Sequence, residues 1–433
     1  MLKVSKYFLL ILAIVLPIYV DQINGFLISK QLSLPVSQYI KAVYLAIFLF
    51  YVLKHNRYII LYSTWFVVLG ITLINAATVD GSPDIYKNVV FYTKLLTFPL
   101  AYHFLCHFYP TSFSFHNRFG NKIILIIFGT IFIAMFLSLF GIGLPMYGTA
   151  ISESGKEVAL GYRGYFIAGN ELSVLYLLMY TFSFYYAFSS KRPVLYLIIV
   201  ASLGLVTALL IATKTVLLAF IIITFTLPLL DRLYFRIPCY KLTRKESVIV
   251  KVFFALGLLG FIYGFFAFQD SIKAKVDFIM FNYEKAGDLI TMLTSGRNER
   301  LGDSLSLFNN EYTFIQKLFG TGWEYPQKRL IQAYQSDGSA EVDWLDLLVS
   351  TGVVGVVWIY SFWILFLFRV YYSFRKQLHQ YSVPLLLSSC ILFLNSFISG
   401  HVMYSSLLGL YLGYLGGVIA PVPQNHGNLN EQN

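Results

Sequence analysis

The run "FLLILAIVLPIYV" close to the start is the first of a long series of apolar stretches. A helix needs about 20 such residues to cross the hydrocarbon core of a bilayer. By that criterion about twelve spans are expected, near 7–28, 39–53, 58–77, 87–109, 122–145, 170–188, 194–213, 215–230, 252–269, 344–368, 382–400 and 404–420. Within lipid each segment must satisfy its own backbone, so the pattern demands an all-α, polytopic bundle. Composition agrees: 58% of the residues are hydrophobic and 12% charged, against about 25% charged in a soluble domain. Lys3 and Lys6 before the first run give it the look of a secretory leader. No small-residue cleavage site follows, so it reads as a retained first span.

The net charge of +11 reads as loop charge that sets orientation, not as a nucleic-acid surface. Cations cluster in every second connection: Lys54 and Arg57, Arg118 and Lys122, Lys191 and Arg192, Arg232 to Lys251, and Arg369 with Arg375 and Lys376. The intervening "TVDGSPDIY" is acidic. Both termini are therefore expected in the cytoplasm. Residues 1–270 form the first nine spans, 271–343 a large outer loop, 344–420 the last three spans and 421–433 a cytoplasmic tail. Within the loop, "SIKAKVDFIMFNYEKAGDLITML" has the spacing of an amphipathic surface helix, and "FGTGW" reads as a turn. A shorter outer loop covers about 146–169. Cys106, Cys239 and Cys390 show neither a disulfide framework nor a metal spacing.

Five motifs could carry chemistry, and all map to the outer side. In "GYRGYFIAGNELS", Arg163 precedes the sixth span and Asn170 and Glu171 open it. They read as a helix cap with an interfacial Arg, or as ligand contacts. Lys214, between two apolar runs in "LLIATKTVLLAF", either snorkels to head groups or serves a site. Arg297 and Arg300 in "TSGRNERLGDSL" share a helix face, as a phosphate clamp or as a solvated loop helix. In "SAEVDWLDLLVSTGVVG", Glu341, Asp343 and Asp346 suit a helix N-terminus, but one could also take a proton from a sugar hydroxyl, with Asp343 first and Glu341 in support. His401, in the turn "FISGHVMYSS", is the next candidate base. His103 and His107 stand four apart with no third ligand in view and read as packed or interfacial histidines. A cluster of cations with carboxylates on one face suits an anionic, lipid-linked substrate.

In their order and topology these motifs resemble the O-antigen polymerase and O-antigen ligase superfamily of bacterial membrane glycosyltransferases. The match runs mainly from "GYRGYFIAGNELS" through "LIATKTVL", "LTSGRNER" and "LFGTGW" to "EVDWLDLLVSTGVVG". The ligases typically place a His where this chain has "EVDW", so the acid is closer to the polymerases. The resemblance implies a GT-C-like helical fold and an inverting reaction with neither metal nor cofactor. Undecaprenyl-diphosphate-linked repeat units would be joined into surface polysaccharide (O-antigen, capsule or exopolysaccharide) outside the cytoplasmic membrane. Arg163, Lys214, Arg297 and Arg300 would hold the diphosphate, and Asn170 and Glu171 would make further substrate contacts. A chain-length regulator and a flippase are the candidate partners. Ligase-type transfer and flipping of lipid-linked oligosaccharide are the rival functions.

Overall fold

The apolar runs become helices in the computed structural model, which describes residues 6–32, 35–54, 58–81, 83–108, 121–146, 149–151, 157–159, 161–190, 193–234, 248, 297–334, 338–376, 378–379 and 381–419. The first eight helices are α1 (Lys6–Ser29), α2 (Val36–Leu53), α3 (Ile59–Asp80), α4 (Ile85–Phe108), α5 (Asn121–Ser138), α6 (Gly169–Phe188), α7 (Pro193–Ile211) and α8 (Lys214–Tyr234). Three short helices follow: α9 (Arg297–Ser306), continued by a π turn at Leu307–Glu311, then α10 (Phe314–Phe319) and α11 (Glu324–Tyr334). The long α12 (Asp343–Arg375), α13 (Ser382–Ile398) and α14 (Ser406–Ile419) complete the bundle. The only strands among the described residues are β1 (Thr149–Ile151) and β2 (Glu157–Ala159), an antiparallel hairpin. The hairpin lies in the connection between α5 and α6, where the apolar pattern gave no strand signal.

Five helices among the described residues are long and apolar enough to cross a membrane: Val36–Leu53, Ile59–Asp80, Ile85–Cys106, Val194–Ile211 and Asp343–Arg375. Their outward faces are apolar too, as at Phe50 and Ile60, which are 76% exposed or more. A helix apolar all round belongs in lipid. The chain is a helical membrane protein. The ninth expected span, 252–269, and the amphipathic stretch at 271–293 lie outside the described residues.

Two expected spans are corrected. The fifth was expected over 122–145, but α5 ends at Ser138. Gly141 and Gly143 take positive φ and turn the chain. The tenth was expected over 344–368; α12 runs Asp343–Arg375 but breaks at Gly352, where φ 68° and ψ −177° are non-helical. This backbone region is essentially closed to residues with a side chain. A Cβ there would also lie 2.4 Å from the carbonyl of Leu318. Across the contact, Gly320 has φ 72° and faces the Ser350 carbonyl as closely. Gly322 N donates to Ser350 O at 3.0 Å. The "FGTGW" turn and the break in α12 are thus two halves of one joint. The part after the break, 353–375, is about 34 Å long at 1.5 Å per residue, enough to cross a bilayer alone. The acids before it ride on a separate segment, 343–351.

Gly352→Ala is therefore expected to destabilise by at least about 1–3 kcal/mol from backbone strain alone, read as a lower melting temperature in detergent. Gly302→Ala is the control. It sits on α9 with nothing within 4 Å of the added Cβ and should be neutral or gain up to about 1 kcal/mol. Equal melting temperatures for both variants would remove the joint from the account.

Helices α4, α6 and α14 form the centre. In α6 every residue from Leu172 to Tyr185 is buried. Helix α14 runs parallel to α4 with its glycines against it: Gly409 meets Phe98, Gly413 meets Ala101, and Gly417 meets Leu105. Small residues let two backbones approach, which supplies the packing that lipid does not. This pairing also sets depth. Ser406, where α14 begins, lies level with about Leu95, and the turn before it reaches Phe91 through Tyr404, with ring centroids 5.7 Å apart. Helix α4 starts at Ile85. The α13–α14 turn is therefore recessed about 9–15 Å below the start of α4.

Contacts also sort the helix ends. Tyr165 N donates to Gln22 of α1, Tyr162 N to Leu210 O of α7, Lys328 pairs with Asp80 and Glu341 O sits against Gly400. These ends share one side of the bundle. The opposite ends carry Lys54, Lys122, Arg375 and Lys376.

Candidate functional site

The recess is built on the segment "SAEVDW" and the turn "SGHVMYS". Asp343 is wholly buried, and its Oδ2 accepts from the backbone N–H groups of Val402 at 2.8 Å and Met403 at 2.9 Å. Asp346, also buried, accepts from Ala340 N at 2.9 Å and from the Tyr404 hydroxyl at 3.3 Å. Two carboxylates thus pin the start of α12 to the turn between α13 and α14. The other oxygen of Asp343, Oδ1, has no partner among the described residues.

That pinning brings Glu341 beside His401. Both have left-handed backbone, φ 55° and 63°, a conformation few non-glycine residues adopt. Of the four non-glycine residues with positive φ among those described, these two and Ala212, two residues before Lys214, lie at or beside the site. Strain of this kind collects where a side chain must be aimed.

Glu341 accepts from Arg297 at 3.0 Å and from Arg300 at 3.5 Å. The two arginines share a face of α9, as their spacing predicts. Burial raises the Glu341 carboxyl, but Arg300 and Arg297 outweigh it and hold it below its usual range. His401 has a buried Nε2 with no partner among the described residues, and its ring meets Tyr404 at 5.5 Å between centroids. Burial, then Arg297, Lys94 and Arg300, pull its pKa down to about 4, although Glu341 opposes them. At neutral pH it is an uncharged imidazole, able to accept a proton.

Lys214 begins α8 and is exposed, and Arg297 lies within its electrostatic reach. Lys94 of α4 reaches His401 in the same way. Lys94 escapes a reading focused on helix ends and loops. The signal was a lone cation inside "FYTKLLTFPL". Tyr404 and Trp323 were missed as well. Trp323 stacks on Phe91 at 4.2 Å and approaches Tyr404 at 5.5 Å, making an aromatic wall beside the turn.

The structure brings Glu341, Asp343, Asp346, His401, Arg297, Arg300 and Lys214 together. It does not join Arg163 to them. That guanidinium donates to Ile167 O, and no hydrogen bond or ion pair among the described residues ties it to Glu341, Asp343, Asp346 or His401. Asn170 does not cap α6. The N-cap is Ala168, in extended conformation, and Leu172 N bonds to its carbonyl. Asn170 and Glu171 fall in the first helical turn instead, where the acid suits the positive end of the helix dipole. His103 packs in the bundle, bonded to the Tyr62 hydroxyl at 2.8 Å. No group of three or more metal-ligating residues occurs among those described.

Comparison with models of known protein families gives no match, and comparison with curated proteins gives no significant one.

Proposed function

We propose that this chain is a membrane glycosyltransferase that polymerises lipid-linked repeat units. It would transfer a growing glycan from undecaprenyl diphosphate to the terminal sugar of an incoming lipid-linked unit. In this reading about twelve spans lie in a bacterial cytoplasmic membrane, with both termini inside and the recess opening outside. One observation carries it: Arg297 and Arg300 of α9 and Lys94 of α4 converge on a single partly exposed carboxylate and a neutral histidine, with Lys214 beside Arg297, in a recess below the surface. An anionic leaving group and a deprotonated acceptor are what such a site would serve.

His401 takes the proton as the acceptor hydroxyl attacks the anomeric carbon of the donor sugar. The bond from that carbon to the diphosphate oxygen breaks with inversion. Arg297, Arg300 and Lys214 stabilise the charge that grows on the diphosphate. Glu341 holds both guanidinium groups in place until the anion arrives. Asp343 is enclosed, so we assign it to holding the turn rather than to the proton. An asparagine there can still accept from Val402 and Met403. Asp343→Asn should keep activity within about one decade, whereas Asp343→Ala strands two buried N–H groups at about 1–3 kcal/mol each. A drop of two or more decades in Asp343→Asn with normal expression would return the base to Asp343.

The deciding experiment is the purified protein in nanodiscs with undecaprenyl-diphosphate-linked repeat units. A ladder of lipid-linked oligomers is expected. Transfer onto lipid A alone would make it a ligase, and transbilayer movement without new bonds would make it a flippase. Orientation is tested with Asn310→Cys in a background lacking the three native cysteines. Asn310 is exposed, and an impermeant maleimide should label it in intact spheroplasts. Labelling only after lysis would invert the topology.

A further inference from the structure

Lys94 is a cation in the wrong place for a membrane helix. It lies nine residues into α4, with Tyr92 and Leu95 buried on either side, and is itself half-buried. At 1.5 Å per residue that is about 14 Å below the helix start. Among the described residues no carboxylate lies within ion-pair distance of it. A charged side chain at such depth costs several kcal/mol unless something answers it. Other cations near this side do have an answer: Lys41 pairs with Asp21, Lys87 with Glu324, and Lys328 with Asp80.

The recess supplies the reason. Lys94 lies at the depth of the α13–α14 turn, within electrostatic reach of His401, and three residues from Phe91, which carries the Trp323 wall. Arg297 and Arg300 come to the same turn from α9, through Glu341. The turn therefore has cations from two elements, Arg297 and Arg300 on α9 and Lys94 on α4 within the membrane bundle. A ligand neutralised by both would carry more than one anionic group.

We propose that Lys94 is an anion-binding residue that takes one phosphate of a lipid-linked diphosphate, alongside Arg297 and Arg300. This rests on the polymerase reading and extends its diphosphate site to a residue within a span. The lipid, not free pyrophosphate, is the source we assign, because a cation this deep is reached from a head group whose tail lies in the bilayer.

The test measures binding of undecaprenyl diphosphate to the full chain in phosphatidylcholine nanodiscs, with inorganic pyrophosphate as the second probe. Lys94→Gln should weaken lipid binding about 10- to 100-fold, as loss of one charge-assisted contact predicts. Lys94→Arg should restore most of it. Lys94→Gln should melt no lower than the parent, because it removes an uncompensated charge. Unchanged affinity in Lys94→Gln, with the parent binding well, overturns the role of Lys94 and leaves the polymerase reading standing. A parent that binds neither probe overturns both. Equal affinity of the parent for the two probes overturns the lipid assignment. A lower melting temperature together with unchanged affinity would make Lys94 structural and overturn the proposal as well.

Discussion

His401→Asn is expected to lower polymerisation by about two to four decades, with expression and melting temperature near those of the parent. Asparagine is the informative replacement because it tolerates the left-handed backbone that His401 occupies. It keeps a polar side chain but cannot carry the proton. The pH profile sharpens the test. A base must be unprotonated, so activity should fall as pH drops through its pKa. His401 is held near 4 by burial and by Arg297, Lys94 and Arg300. The acid limb of kcat/KM should lie near that value rather than near 6.5. Glu341 is the neighbour that raises the imidazole, so Glu341→Gln should move the limb to still lower pH. A limb near 6.5 that ignores Glu341→Gln, or full turnover in His401→Asn, would take the proton away from His401.

The second large effect belongs to the arginines. Arg297→Ala and Arg300→Ala should each lose about one to two decades in rate, and the double variant about two to four, at roughly 1.5–3 kcal/mol per charge-assisted contact. Both donate to the same Glu341 oxygen, so the losses need not add, and the double variant is the decisive one. Lysine at either position should rescue only partly, because it lacks the planar fork. Polymer of parental length and yield from the double variant would reduce α9 to a solvated helix.

Much of the bundle was legible because membrane spans announce themselves by length and hydropathy. Helices α1, α3, α6, α7 and α13 fall within a few residues of their expected bounds. The failures share a cause. Where α5 stops and α12 breaks, the hydropathy runs on while glycine backbone conformation changes direction, and a hydropathy window is blind to φ. In the site, Arg297, Arg300 and the 341–346 acids were visible as motifs. Their division of labour was not. Glu341 and Asp343 are two residues apart and similar in chemistry, yet one meets two arginines and the other is sealed under the turn. That difference is made by residues 402 and 403, about sixty positions away. Lys94 was hidden for the opposite reason: its sequence neighbours look like lipid-facing helix, and only the depth of α14 gives it company.

The glycine seam between α14 and α4 has a mechanical consequence. Backbones meshed at Gly409, Gly413 and Gly417 leave too little room between them for a side chain at any of the three. The floor that carries His401 is thus a fixed stage. What lies over it, from α9 to the start of α12, is held by ion pairs, by the hydrogen bonds of Asp343 and Asp346 and by one glycine joint, and its surface residues can be exchanged without touching the seam. A chimaera that imports the exposed residues of α10 and α11 from a polymerase of different sugar preference, with Arg297, Arg300 and the glycine joint left in place, would put a new canopy over an old stage. The identity of the glycan should travel with the canopy, and the rate of bond formation should stay with the stage.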